Sequence, residues 1–386
     1  MKTQMTQKIL THDFILAFFA QFASSFVFHI LIPTLPIYLS RLGSPEVETG
    51  VLIGIFFFSS LVFRPFVGRA LLKHPEKTFM IIGALLYAFT SVAYLLTLPF
   101  WPFLIVRVFH GIGFAFFHTA SMTLIANISS EAHRGQSLSY FYMATNISGA
   151  LASPLGMFLI IHFSFSLLFL VCLILSLCSL FITHKLGERQ VVPLQDSSIE
   201  DGFFLSRKAL PLSIISSLSL FIWGAVTAFF PLYAINCGVA NPGLFFSTIA
   251  IMLILGRALG GKILDLYSKE RIILPCLITY IISMVILAFS KTLPMFILVA
   301  VIWGIGNAFL LPSLVVYVLD RVGSSPGPAM GTFTAISDLG ISLGSVVMGI
   351  IIHTASYPIM FLCLALTGVI NLNYFYFFVR KKGAIL

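Results

Sequence analysis

"GRALGGKILDLYSKER", Gly256–Arg271, packs six charged residues into sixteen, in a chain where only 9% are charged. Apolar runs flank it, from 242 on one side and to 290 on the other. A run of about 20 apolar residues is long enough to cross a bilayer as a helix. The stretch therefore reads as a polar turn between two crossings. It also has a twin. "FRPFVGRALLKHPEK", Phe63–Lys77, places Arg64, Gly68 and Arg69 193 positions before Arg257, Gly261 and Lys262. The same shift carries "HGIGFAFFHTAS" from His110 onto "WGIGNAFLLPS" from Trp303, and Gly156 onto Gly349. At a slightly different offset "LPIYLSRLG", ending at Gly43, matches "FPLYAINCG", ending at Gly238. Separated blocks repeating at one offset imply two copies of one unit related by an axis along the membrane normal.

Composition sets the solvent. Of 386 residues 59% are hydrophobic, with a mean hydropathy of +1.05, too little polar surface for a soluble fold. In lipid the backbone must satisfy itself, which leaves helices or a closed barrel. The apolar runs are continuous, without the two-residue alternation of barrel strands. Twelve spans are expected near 13–40, 48–72, 77–98, 101–127, 136–162, 164–184, 210–235, 242–267, 270–290, 293–319, 327–353 and 355–378. The polar segment 185–209 reads as a linker between a first six-helix bundle (1–184) and a second (210–386). With Lys2 and Lys8 before a long apolar run and no small-residue cleavage site, the N-terminus reads as a first span rather than a cleaved signal.

The formal charge of +9 is topological. Alternate loops and ends hold seventeen Lys and Arg on one side and only Arg41 and Lys291 on the other. The positive-inside rule then places both termini and the linker in the cytoplasm, for a protein of the cytoplasmic (inner) membrane. No nucleic-acid partner is implied. Five cysteines lie in or beside apolar runs without metal spacing, so neither metal nor cofactor is called for. No Walker loop occurs, and no nucleophile, base and acid gather at readable spacing, so the sequence does not read as an ATP-driven pump or an enzyme.

These features together resemble the major facilitator superfamily over essentially the whole chain. The family's turn between spans 2 and 3 corresponds to Gly68–Lys77, "GRALLKHPEK", with Leu72 at the usual acid and Pro75 at the usual second glycine. Its second-half copy, "GKILDLYSKER", keeps Asp265. Arg107, Gly111 and Gly113 match the span 4 signature. Gly149 and Pro154 fit the span 5 antiporter signature, while Ser153 replaces its middle glycine and Gly156 falls one position early. The resemblance implies an all-α membrane protein with twelve transmembrane helices in two pseudo-symmetric six-helix bundles, working by alternating access. It implies a secondary transporter, read here as proton-coupled export of a small organic solute, with protons and the bilayer as its other partners and a monomer expected. Two alternatives stay open: an uptake symporter or facilitator for a sugar or organic acid, and a membrane sensor or scaffold that transports nothing.

A charge at a helix centre costs roughly 2.5–3.5 kcal/mol on insertion scales, so each needs a partner or a role. Arg64, Arg107, Arg257 and Asp338 are inside spans, and with Asp265 they form the candidate coupling or gating set. Asp13, at the start of span 1, reads as a helix cap. At 1.5 Å per residue Arg64 and Asp338 come within about 5 Å of one depth, and the resemblance implies that span 2 of one half meets span 11 of the other, so they are expected to pair. Arg257 is expected opposite Thr145 or Asn146. His110, Phe114 and His118 follow Arg107 along one face of span 4. In the resembled fold spans 1, 4, 7 and 10 line the cavity, which adds Gln21, Ser24, Ser25, His29, Trp223, Phe230, Tyr233, Trp303 and Asn307 as candidate substrate contacts. Each histidine has a second reading, as a neutral packing group.

Overall fold

The computed structural model describes residues 11–96, 100–129, 134–187, 206–322 and 326–380, without the side chains of 134–135, 257–266, 322 and 326–328. Among the described residues there is no strand. The helices are α1 (His12–Arg41), α2 (Glu46–Ala70), α3 (Glu76–Leu96), α4 (Trp101–Ile128), α5 (Arg134–His162) and α6 (Phe165–His184). After the linker come α7 (Leu210–Asn236), α8 (Gly243–Leu266), α9 (Lys269–Phe289), α10 (Leu293–Val322), α11 (Pro326–Thr354) and α12 (Tyr357–Tyr374). A π-helical segment, Phe375–Arg380, ends the last crossing. Eleven helices are long and apolar enough among the described residues to cross a membrane, and the twelfth, α8, has 24 residues. Large apolar side chains such as Phe66, Phe181, Phe289 and Phe378 are exposed, as a surface solvated by lipid requires.

Local chemistry sets the helix ends. The cap of α1 is Thr11 rather than Asp13: the Thr11 hydroxyl accepts from Phe14 N at 3.2 Å. Asp13 sits inside the first turn, where a negative charge favours the helix dipole. The matched ends of α1 and α7 close alike. Gly43 and Gly238 have φ of 83° and 80°, a left-handed conformation that glycine adopts without a Cβ penalty. Ser44 N donates to Leu39 O at 3.0 Å and Val239 N to Ala234 O at 2.9 Å, the six-to-one bond that finishes such a helix.

The packing repeats with the sequence. α1 lies on α5 and α6 as α7 lies on α11 and α12; α4 lies on α2 and α3 as α10 lies on α8 and α9; α3 meets α6 as α9 meets α12. One apolar core is drawn from α1–α6 and Leu186; the other comes from the second half with Ile53, Phe56 and Phe57 of α2. α2 packs on α11, α5 on α8 and α1 on α7 between the halves. The 193-residue shift is visible in side chains. The Tyr87–His110 rings meet edge to face at 4.8 Å, and their counterparts Tyr280–Trp303 at 5.7 Å. Asn127 Nδ2 donates to Glu76 Oε1 at 2.6 Å, where the second half has Lys269 paired with Asp320 at 2.9 Å. Glu270 accepts from Tyr317 at 3.0 Å, so the tail of the Gly256–Arg271 stretch fastens α9 to α10. Lys262 and Asp265 lie outside the described side chains.

Candidate functional site

Two charged centres occupy the space between α1, α2, α4, α7 and α11. The inner one is the expected pair: Arg64 Nη1 lies 2.9 Å from Asp338 Oδ2, with side chains 22% and 11% exposed. The contact is Coulombic rather than an aligned hydrogen bond, because neither Arg64 Nε nor Asp338 Oδ2 has a hydrogen-bond partner. The Arg64 guanidinium also lies over the Phe114 ring at 5.5 Å, and Phe114 is 5.1 Å from the His118 ring. Residues of α2, α4 and α11 thus meet at one depth.

The outer centre is built on α4. Arg107 is buried, its Nε donates to Leu52 O at 2.8 Å, and its guanidinium lies over Phe56 at 4.6 Å. One turn on, His110 Nδ1 is 2.9 Å from the Tyr94 hydroxyl and 3.5 Å from Arg107 Nη1. Arginine can only donate, so Nδ1 accepts and the ring proton belongs on Nε2. That Nε2 is buried without a partner. Arg107, His110 and Thr227 line a cavity of about 30 Å³ whose other walls are apolar side chains of α1 and α2. Between the two centres Phe28 stacks on both Phe56 and Phe114, at 5.6 and 5.3 Å.

The polar candidates of α1 are held elsewhere. Gln21 Nε2 donates to Ser25 Oγ at 2.8 Å and reaches Thr145 Oγ1 at 3.3 Å, while Ser121 Oγ donates to Gln21 Oε1 at 2.8 Å. His29 Nδ1 is 2.8 Å from Ser25 O and 3.1 Å from Ser148 Oγ. A carbonyl only accepts, so here the proton is on Nδ1. Prolines leave work for neighbouring hydroxyls. Pro33 has no N–H for His29 O, and Ser153 Oγ donates to it at 3.3 Å. Pro154 leaves Ala150 O free, and Ser247 Oγ of α8 donates at 2.6 Å.

In the second half Trp223 and Trp303 meet at 5.6 Å, and Trp303 Nε1 is buried without a partner. Asn307 Oδ1 accepts from Tyr280 at 3.0 Å. Phe230 is fully buried, stacked on Phe245 at 3.9 Å. Tyr233 is placed apart: its hydroxyl donates to Ser290 O at 2.6 Å and its ring packs on Phe296, Tyr357 and Phe361. The side chains of Arg257 and Asp265 lie outside the described residues. Thr145, expected opposite Arg257, is engaged by Gln21 and Ser25. Sequence reasoning passed over Tyr94, Phe56, Thr227 and the Leu52 carbonyl. The Tyr94 contact had a signal, since His110 is one of the few polar groups in its span and needs a partner.

The Major Facilitator Superfamily model matches residues 17–323 and, in a second match, 238–385, so the chain belongs to that family of transporters and is not an enzyme. It is 25% identical over 352 residues to the staphylopine export protein of Staphylococcus aureus strain Mu50, covering 85% of this chain and 86% of that one. It is 22% identical over 357 residues to the quinolone resistance protein NorA of Staphylococcus aureus strain COL, covering 88% and 90%. Among solved structures, a mutant form of the nucleoside transporter NupG superposes with a TM-score of 0.79 at 16% identity, covering 95% of this chain and 100% of that one. The protein is thus a multi-pass membrane transporter with the major facilitator fold.

Proposed function

We propose that the protein exports a small organic solute in exchange for protons, by alternating access of two six-helix halves, 1–184 and 210–386. The observation that carries this reading is the Arg64–Asp338 pair, which bridges α2 and α11 inside the membrane. Among the described residues Asp338 is the only carboxylate well inside a span. A proton on it cancels the attraction to Arg64 and lets the two helices part; its loss restores the attraction. Similarity to an export protein and a drug-resistance protein supports outward transport. The solved transporter of similar fold keeps nucleoside transport as a second reading. The protein acts as a monomer in the cytoplasmic membrane, with both termini and the 185–209 linker inside. A cysteine at Gln195 should resist impermeant thiol reagents on intact cells, and labelling there would overturn the orientation.

Direction of coupling is tested in proteoliposomes with a panel of staphylopine, a quinolone and a nucleoside. Antiport accumulates substrate when the lumen is acid, because protons leave as solute enters. Accumulation only with an alkaline lumen identifies symport and overturns the export reading. Indifference to both gradients overturns proton coupling.

A further inference from the structure

The structure assigns to the Arg107–His110 cavity the role of an anion-binding subsite, and to the substrate a carboxylate or similarly compact anionic head on an apolar body. This deepens the transport reading and rests on it. The argument is one of charges and donors. Arg64 has Asp338, but none of the ion pairs among the described residues involves Arg107. Glu48, one turn outward of Leu52 on α2, is not paired with it either. The carboxylates outside the described residues belong to distant stretches of sequence: Glu131 beyond the far end of α4, Asp265 at the far end of α8, and four in the linker. Arg107 is instead six residues from the start of α4.

A buried guanidinium is expensive unless an anion accompanies it. The Leu52 carbonyl and His110 Nδ1 take two of its five N–H donors, and neither is an anion. His110 adds a second donor, Nε2–H, which is buried and has no acceptor. A guanidinium without a counter-ion and the unmatched His110 Nε2–H, one turn apart on one helix, line a cavity with no acid in its wall among the described residues, which calls for a compact anionic acceptor. The cavity of about 30 Å³ fits that size. A single water needs roughly 10–15 Å³ by this measure, so the room suits the two oxygens of a carboxylate and not a whole solute. The remaining walls, Phe28, Ile32, Ile53 and Phe57 among them, suit an apolar body next to the head. Thr227 comes from α7, so the subsite lies between the halves and its occupant touches both. Binding there is therefore tied to their relative position.

The test uses the full-length protein in detergent, with no gradient, and three probes that share one apolar body: benzoate, benzyl alcohol and benzylamine. Benzoate should raise Tm by at least about 2 °C, and the neutral and cationic probes should not. Arg107→Gln should raise the benzoate Kd about tenfold or more, the worth of one charge-assisted hydrogen bond. His110→Phe, which keeps the ring packing on Phe56 and Tyr87 but removes the donor, should weaken benzoate as well and guards against a folding failure of the first variant. Equal shifts from the three probes, no shift from benzoate, or benzoate binding unchanged in both variants overturns the subsite. So does benzoate binding abolished by Arg64→Gln but not by Arg107→Gln. Because binding is read without a gradient, a transporter that binds benzoate yet fails the acid-lumen experiment loses the export reading and keeps the anion subsite.

Discussion

The two seams between the halves occupy equivalent places and are built from different chemistry. Along α2 and α11, Gly50 and Gly54 press against the Ser342–Val346 turn, and further along Arg64 pairs with Asp338. Along α5 and α8, Gly243 presses against Ser153 and Pro154, and the polar contacts among the described side chains are neutral: Ser247 to Ala150 O at 2.6 Å and Asn241 to Pro154 O at 3.5 Å. The 193-residue shift that takes Arg64 to Arg257 takes Thr145 to Asp338, so the acid has no acidic counterpart. The difference has a physical consequence. An ion pair changes with protonation and with access of water. A hydroxyl bonded to a backbone carbonyl has nothing to titrate. Of the described contacts, those of the first seam can respond to protonation and those of the second cannot.

The largest effect should come from breaking the first seam. Arg64→Ala leaves Asp338 without its counter-charge in a mostly buried position, a loss of about 3 kcal/mol, the lower end for buried pairs because Arg64 is 22% exposed. Flux should fall to background and Tm should drop. Exchanging the residues, Arg64→Asp with Asp338→Arg, should recover part of both. Wild-type flux and Tm in Arg64→Ala would remove the pair from any gate.

A smaller effect belongs to the close approach that sets this seam. A Cβ on Gly50 would overlap Ser345 O, a backbone atom that cannot swing aside. Gly50→Val should therefore force α2 from α11, at about 1–3 kcal/mol, and slow transport. Gly68, on the same helix, has nothing within 4 Å of the added position. Gly68→Val should be near neutral by Tm, and equal loss in both would show that the cost is helix propensity rather than contact.

Much of this was legible before any coordinates. Bilayer thickness dictates span length, so both ends of eleven spans fall within three residues of expectation, and the last span divides into α12 and its π-helical end. The Arg64–Asp338 contact followed from rise per residue together with the family resemblance, which brings span 2 against span 11. Helix rotation was harder, because the apolar runs lack a one-sided period and lipid tolerates apolar residues on any face. Tyr233 was accordingly grouped with Trp223 and Trp303, although its hydroxyl is committed to Ser290 O. Arg107 had two readings, proton coupling by resemblance or a packing arginine bonded to carbonyls of the first half; the structure shows such a carbonyl, Leu52 O, and adds the Phe56 ring and the lack of an ion-pair partner among the described residues. The neutral seam had a signal that went unused. A proline inside a span frees the carbonyl four residues before it, so Pro33 and Pro154 announce that His29 O and Ala150 O need donors from another helix.

The smallest effect should come from that neutral seam, and its logic is the most closed. Ala150 O loses its ordinary donor because residue 154 is proline, and Ser247 Oγ replaces it from α8 at 2.6 Å. Ser247→Ala should then cost about 0.6–1.7 kcal/mol, the range measured for hydrogen bonds between membrane helices. Transport should persist, since nothing charged is disturbed. The cause can be isolated. Pro154→Ala restores an N–H that reaches Ala150 O within α5. In that background the carbonyl is satisfied without α8, and Ser247→Ala should cost markedly less. The coupling between the two substitutions, read from Tm or denaturant midpoints in a double-mutant cycle, should be of the same size as the single Ser247 effect. If Ser247→Ala costs the same with proline or alanine at 154, the hydroxyl is not serving the freed carbonyl.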